Sequence, residues 1–252
     1  MQINKLESSS GGRGTPEREL IVNADDFGMS ASVNRGIIIA LEQGIGTSAS
    51  LMVRREAAPD AAAYARRHPS VSIGLHVDLG EWILRDSQWE PLYIVVPLDD
   101  RAAVAHEVGR QVDVFRDIIG RNPTHLDSHQ HVHRHEPVRS VMFELASTLG
   151  VPLRHFTAGV RYCGRFYGQG RGGENDDDAI GVPRLIKLVG ELEVGITELC
   201  CHPGDDVQPG EQYGASRPRE LVTLCNSRVR TALVESAVRL RSFHGLPAAL
   251  AD

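Results

Sequence analysis

Lysine is nearly absent from this chain: Lys5 and Lys187 are the only two, and the other 25 basic side chains are arginine. So general a bias carries no functional weight of its own. Basic charge as a whole is outweighed, 27 Lys and Arg against 33 Asp and Glu for a formal charge of −6, so the chain lacks the basic footprint of a nucleic-acid binder. Apolar runs are short, which excludes a membrane-spanning helix and the core of a signal peptide. Four cysteines in 252 residues are too few for a disulfide framework, and the expected compartment is the reducing cytoplasm. Also missing are internal repeats of solenoid length and a glycine-rich nucleotide loop after the first strand. GQGRGG at 168–173 lacks that strand context. With 41% hydrophobic and 24% charged residues the chain reads as an ordinary globular protein.

Residues 1–18 contain SSSGGRGTPE and read as a flexible tail; residues 19–252 read as one barrel-like domain. Short apolar runs there alternate with helical patterns. The strands expected are 19–24, 48–53, 71–79, 123–131, 151–156, 194–202 and a last one at 238–243. Between them fall helices near 56–67, 100–119, 138–149 and 183–192, and two short ones near the end. Ser30 is placed to cap a first helix with Val33, Ile37, Ala40 and Leu41 on one face. A Gly-rich loop covers 159–181. Near-continuous apolar strands alternating with helices predict an α/β fold, a distorted (β/α) barrel of about seven parallel strands.

What the chain has in quantity is histidine, 11 residues, five of them at 125, 129, 131, 133 and 135. At odd positions these would share one face of a strand. Other polar residues cluster where strands are expected to end: Asp25 and Asp26 after the first, His76 and Asp78 after the third, Asp127 in the fourth, His202 after the strand at 194–201. In a parallel barrel that face gathers the active-site groups. Each has a plainer reading: Asp25-Asp26 as a helix cap, His76 as a hydrogen-bonded core residue, His202 as structural. Cys200 and Cys201 point to opposite faces of a strand and read as buried apolar residues. Taken together, a carboxylate and two imidazoles can make a three-ligand metal site, with a second carboxylate as base and a separate histidine as acid, the minimum for metal-assisted hydrolysis.

IVNADDFGMSASVNRGI, SIGLHVDL, PTHLDSHQHVH and ELCCHPG occur in this order and resemble the YdjC-like carbohydrate deacetylases, a family that includes chitooligosaccharide deacetylases and hopanoid-associated members. FYGQ at 166–169 and Tyr213 followed by Arg217-Pro-Arg-Glu-Leu add to the resemblance, which runs from about Leu20 to Phe243. It implies a barrel with fewer strands than eight and removal of an N-acetyl group from an amino sugar or short N-acetylated oligosaccharide. It also implies one divalent metal ion, Mg or Zn, on Asp26, His76 and His129. Asp25 would be the base and His202 the acid. Asp127, His131 and His133 are expected near the site, Asp127 as an orienting hydrogen-bond partner. Phe27, Trp82 and Tyr213, with Trp89, Phe166 and Tyr167, are the aromatic candidates for sugar contact. The resemblance further implies a homodimer. The alternatives are another mononuclear or dinuclear metal hydrolase, phosphoesterase-like, or a catalytically silent metal- or sugar-binding homologue.

Overall fold

The computed structural model describes residues 17–86, 88–170, 172–207, 211, 213–248 and 250–251. Of the expected tail, residues 1–16 lie outside the described residues, and Arg18 already opens the first strand. β1 (Arg18–Phe27) has eight of its ten residues buried, because neighbours hydrogen-bond along both of its edges. Burying each large apolar side chain is worth roughly 1.5–3 kcal/mol, so RELIVNADDF is placed at the centre of a sheet rather than at its edge. α1 (Ala31–Glu42) follows, with Ser30 accepting from the Val33 amide as its N-cap. Then come β2 (Ser48–Leu51), α2 (Ala58–Arg67) and β3 (Ser72–Val77).

The chain next departs from strict alternation. β4 (Gly80–Arg85) and β5 (Gln88–Ile94) form a separate antiparallel hairpin, inserted before α3 (Arg101–Ile119). The sequence pattern gives no warning of it, since most of its residues are exposed and show no buried face. β6 (Leu126–Ser128), α4 (Val138–Leu149), β7 (Val160–Cys163), α5 (Val182–Gly190), β8 (Gly195–Cys201), α6 (Arg217–Leu224), α7 (Ser227–Glu235) and β9 (Val238–Leu240) complete the order.

The main sheet runs β6-β3-β2-β1-β8-β7, with β9 also paired to β1. Every pairing is parallel, so the seven strands curl into a half-barrel with helical crossovers, as the alternation predicts. Two expectations need correction. Residues 151–156 make no full strand: Leu153 forms one bridge to Leu126 on the open edge of β6, with Leu126 N–H donating to Pro152 O and Arg154 N–H donating to Leu126 O. β7 instead emerges from the stretch read as a Gly-rich loop. The second correction concerns the histidines. β6 stops at Ser128, and residues 129–134 form a tight helical turn in which Gln130 and His131 take left-handed conformations, φ 51° and 54°. The five histidines therefore do not line one strand face.

Two strand ends are brought together by glycine. A Cβ on Gly36 of α1 would stand 2.4 Å from the Gly204 backbone, so the helix after β1 and the loop after β8 touch main chain to main chain. Gly36→Ala gains about 1 kcal/mol of helix propensity but forces these backbones apart, an overpacking cost of about 1–3 kcal/mol. Urea denaturation is expected to show a net loss of stability; a variant as stable as the parent would contradict this contact.

Candidate active site

At the C-terminal edge of the sheet lies a cleft of about 660 Å³. Asp25 and Asp26 reach it from the end of β1, His76 from β3, His129 from just past β6 and His202 from just past β8. Residues 177 positions apart thus meet because parallel strands all end on one face. Neither Asp caps α1, whose cap is Ser30. Instead β1 continues through them, and Asp26 holds φ 68°, a left-handed conformation that a non-glycine residue adopts at a cost of about 1–3 kcal/mol. This kink sends the two adjacent carboxylates to different partners.

Asp26 faces two imidazoles and one guanidinium. Its Oδ1 lies 3.4 Å from His76 Nε2 and 3.2 Å from His129 Nδ1, while its Oδ2 accepts from Arg217 at 2.8 Å. The donor atoms of Asp26, His76 and His129 all lie within 4.8 Å of one another. Two ligands at zinc distances of about 2.0–2.1 Å and a tetrahedral angle stand about 3.3 Å apart, so these separations suit a shared ion. His76 Nδ1 is tied to Asp127 Oδ1 at 2.8 Å, the outward bond by which carboxylates orient metal-binding imidazoles. Among the described residues His129 Nε2, which is buried, has no hydrogen-bond partner. Burial opposes a charge on His76, yet Asp127 and Asp25 outweigh it and push its pKa up to about 10. A pocket that favours an extra proton so strongly favours a cation.

Asp25 is held differently. Arg154 donates to both its oxygens, at 2.6 and 2.7 Å, Asn23 donates at 2.8 Å and the Cys200 thiol at 3.2 Å. Burial would raise its pKa, but Arg154 prevails, with His76 and His202 adding, and the carboxyl stays far below the usual range. The same guanidinium reaches Asp127 at 2.9 Å and Glu198 at 2.6 Å. Glu198 is pushed up to about 7 by burial, with Arg154 working against that and Asp127 adding to it. Sequence reasoning missed Arg154; a lone charged residue inside the apolar VPLRHF was the available signal.

His202 is oriented by Glu220, also missed, although it sits in the Arg217-Pro-Arg-Glu pattern. The His202 amide donates to Glu220 Oε2 at 2.5 Å and Nδ1 stands 3.7 Å from Oε1. Burial disfavours the imidazolium, but Glu220 outweighs it, with Asp26 and Asp25 behind, and the pKa rises above its ordinary value. Tyr213 donates to Glu220 and accepts from the Gly168 amide at 2.7 Å. Its ring stacks on Tyr167 at 4.7 Å and meets His202 edge-on.

The other expected residues divide. Trp82 and Trp89 of the hairpin, Tyr167, Tyr213 and His131 line the cleft. Gln130 clamps the hairpin in place, its amide donating to Trp82 O at 2.7 Å and accepting from Trp82 N–H at 2.8 Å. Asp127 lies beneath the floor, bonded to His76, Ser50 and Arg154. Phe27 does not reach the cleft: it is fully buried, edge-on to Tyr64, because the kink at Asp26 turns the next side chain into the core. Phe166 touches the cleft but is itself fully buried. His125 is a core residue, stacked on Phe243 at 3.8 Å and 3.0 Å from Ser50 Oγ. His133 is buried against Ser128. Cys200 and Cys201 are both buried, as expected.

Removing Arg154 leaves three buried carboxylates without their cation. Arg154→Ala is expected to destabilise the fold by about 3–5 kcal/mol, read as a shift in urea midpoint; a loss under about 1 kcal/mol would show that the carboxylates do not depend on it.

A family model described as YdjC-like protein matches residues 19–235. Chitooligosaccharide deacetylases of Salmonella paratyphi B and Citrobacter koseri are 31% and 32% identical, each alignment covering 90% of this chain and 98% of the relative. Among solved structures, a protein of Enterococcus faecalis V583 named for a proposed role in cellobiose-phosphate cleavage is 25% identical with a TM-score of 0.73, over 92% of this chain and 99% of its own. A peptidoglycan N-acetylglucosamine deacetylase shares the fold at 10% identity and a TM-score of 0.56, over 92% of this chain and 89% of its own. The motifs at the strand ends, the half-barrel and these matches agree: the chain belongs to the YdjC-like family.

Proposed function

We propose that the protein is a metal-dependent deacetylase that hydrolyses the N-acetyl group of an amino sugar or short N-acetylated oligosaccharide. The observation that carries this is the convergence of Asp26, His76 and His129 on one point with Asp25 and His202 beside it in an aromatic-lined cleft. The names of the chitooligosaccharide deacetylase relatives support the same reading. Asp26, His76 and His129 would hold the ion; two imidazoles and one carboxylate suit zinc, and magnesium is the alternative. When bound, the ion would polarise the acetamide carbonyl and acidify the attacking water.

The remaining steps belong to the chain. Asp25, kept ionised by Arg154, accepts the proton of the attacking water. Such a carboxylate is a weak base, so it serves only a water already made acidic. His202, biased toward protonation by Glu220, donates to the departing nitrogen, which as an amide anion is a very poor leaving group. Trp82, Tyr167 and Tyr213 offer apolar faces to sugar rings. Asp25, Asp26, Glu81 and Glu211 also line the cleft, and a field of that sign favours the ammonium product. A phosphorylated sugar is supported less well. Arg217, the one Lys or Arg among the described lining residues, is already paired with Asp26 and Glu211. No described helix is long and apolar enough to cross a membrane; a cytoplasmic setting and a homodimer are part of this proposal.

Metal-loaded protein is expected to release acetate from N-acetylated chito-oligosaccharides, and Asp25→Asn to lose at least about a hundredfold in kcat while keeping its metal. No acetate from a broad panel of N-acetylated sugars, with metal bound, would refute the activity.

The acid's protonation sets a second expectation. Activity needs His202 charged, so it falls as pH rises through the raised His202 pKa. Glu220→Gln keeps an acceptor for Tyr213 but removes the charge, so the alkaline limb of the pH–kcat profile moves to lower pH. An unmoved limb would mean that His202 is not the acid, or that Glu220 does not charge it.

A further inference from the structure

Three histidines near the cleft have no part in the steps above. His131 Nδ1, His133 Nε2 and His155 Nε2 are buried, and none has a hydrogen-bond partner among the described residues. One ring nitrogen from each of these residues lies within 4.8 Å of the other two, and their ring centroids form a near-regular triangle with sides of 5.3, 5.6 and 6.0 Å. A hydrophobic core has no use for three unpartnered ring nitrogens in one place, since buried polar atoms are otherwise paired.

For two of the three, His133 and His131, the opposite nitrogen is engaged. His133 Nδ1 lies 2.6 Å from Ser128 Oγ, which also accepts from the His133 amide. His131 Nε2 lies 3.1 Å from the Tyr162 hydroxyl. With the proton on the bonded nitrogen of His131 and of His133, the free nitrogen of each presents a lone pair, and this outward bond is how metal-binding imidazoles are commonly fixed in tautomer and orientation. The backbone is bent to the same end: His131 and His155 both hold left-handed conformations, φ 54° and 70°. The nearby Arg154 cation does not forbid a metal, because it is paired with the carboxylates of Asp25 and Asp127.

We propose that His131, His133 and His155 form a second metal site, separate from Asp26, His76 and His129, that takes a zinc-type transition ion. Three neutral nitrogens without an oxygen donor suit zinc, cobalt, nickel or copper and do not suit magnesium or calcium, which need oxygen ligands. Of the three, His131 also lines the cleft, so the proposed site borders the substrate side.

The test is a zinc count on the full-length protein, stripped with chelator, reloaded with Zn²⁺ and desalted. The parent is expected to retain two equivalents, and Asp26→Asn to keep one, ligated by imidazole nitrogen in X-ray absorption. His155→Gln, a change at a half-buried residue, is expected to lose one equivalent relative to the parent. An Asp26→Asn protein that retains no zinc, or a His155→Gln protein that retains as much as the parent, overturns the proposal. If His155→Gln does not fold, the Asp26→Asn count and its ligation decide alone. Neither reading needs turnover, so a failed acetate assay would count against the deacetylase function and leave this site untouched.

Discussion

One guanidinium sits where the half-barrel fails to close, and the site depends on it. The sheet ends at β6 on one side and β7 on the other, and Arg154 enters between them on the segment that bridges to β6. From there it binds Asp25 on β1, Asp127 on β6 and Glu198 on β8. Only arginine fits this place: its planar fork serves several carboxylates at once, whereas a lysine ammonium is a single point charge. The negative charge of Asp127 and Asp25 overcomes burial at His76 and raises its pKa, whereas at Glu198 burial itself is the main cause of the rise, with Asp127 adding to it. The same negative charge explains why a cation beside Asp26 is electrostatically welcome.

The adjacent Asp25 and Asp26 show how one strand end provides two unlike carboxylates. The left-handed turn at Asp26 separates them, so Asp25 meets Arg154 and Asp26 meets Arg217, His76 and His129. Two neighbouring carboxylates facing one another would share a proton; facing different cations, both stay ionised and can take different roles. On the opposite side, Glu220 gives His202 the contrary character, a bias toward protonation. Asp25 and His202 therefore take their opposite electrostatic characters from separate buried partners.

Much of this is legible in the sequence. Apolar strands alternating with helices predict the parallel sheet, and polar residues at strand ends predict the face that carries the site. Asp26, His76 and His129 meet because strand order, not sequence distance, sets who is near. What escaped did so for physical reasons. Arg154 pairs with Asp25 across 129 positions, and its place inside an apolar segment, the one signal the sequence offers, names no partner. Alternating histidines read as a strand, but Gln130 and His131 break it by going left-handed, which no periodicity reveals. β7 hid among glycines, and the hairpin carrying Trp82 and Trp89 hid because neither strand has a buried face. Phe27 was misplaced for want of the kink one residue before it.

The central claim is that sugar, ion, base and acid meet at one point of the cleft. The most direct measurement is a crystal structure of zinc-loaded Asp25→Asn protein soaked with an N-acetylated chito-oligosaccharide, with anomalous data at the zinc edge. The account predicts zinc on Asp26, His76 and His129, the acetamide oxygen toward it, and the amide nitrogen on the His202 side. A sugar bound elsewhere, or zinc absent from those three residues, would contradict it.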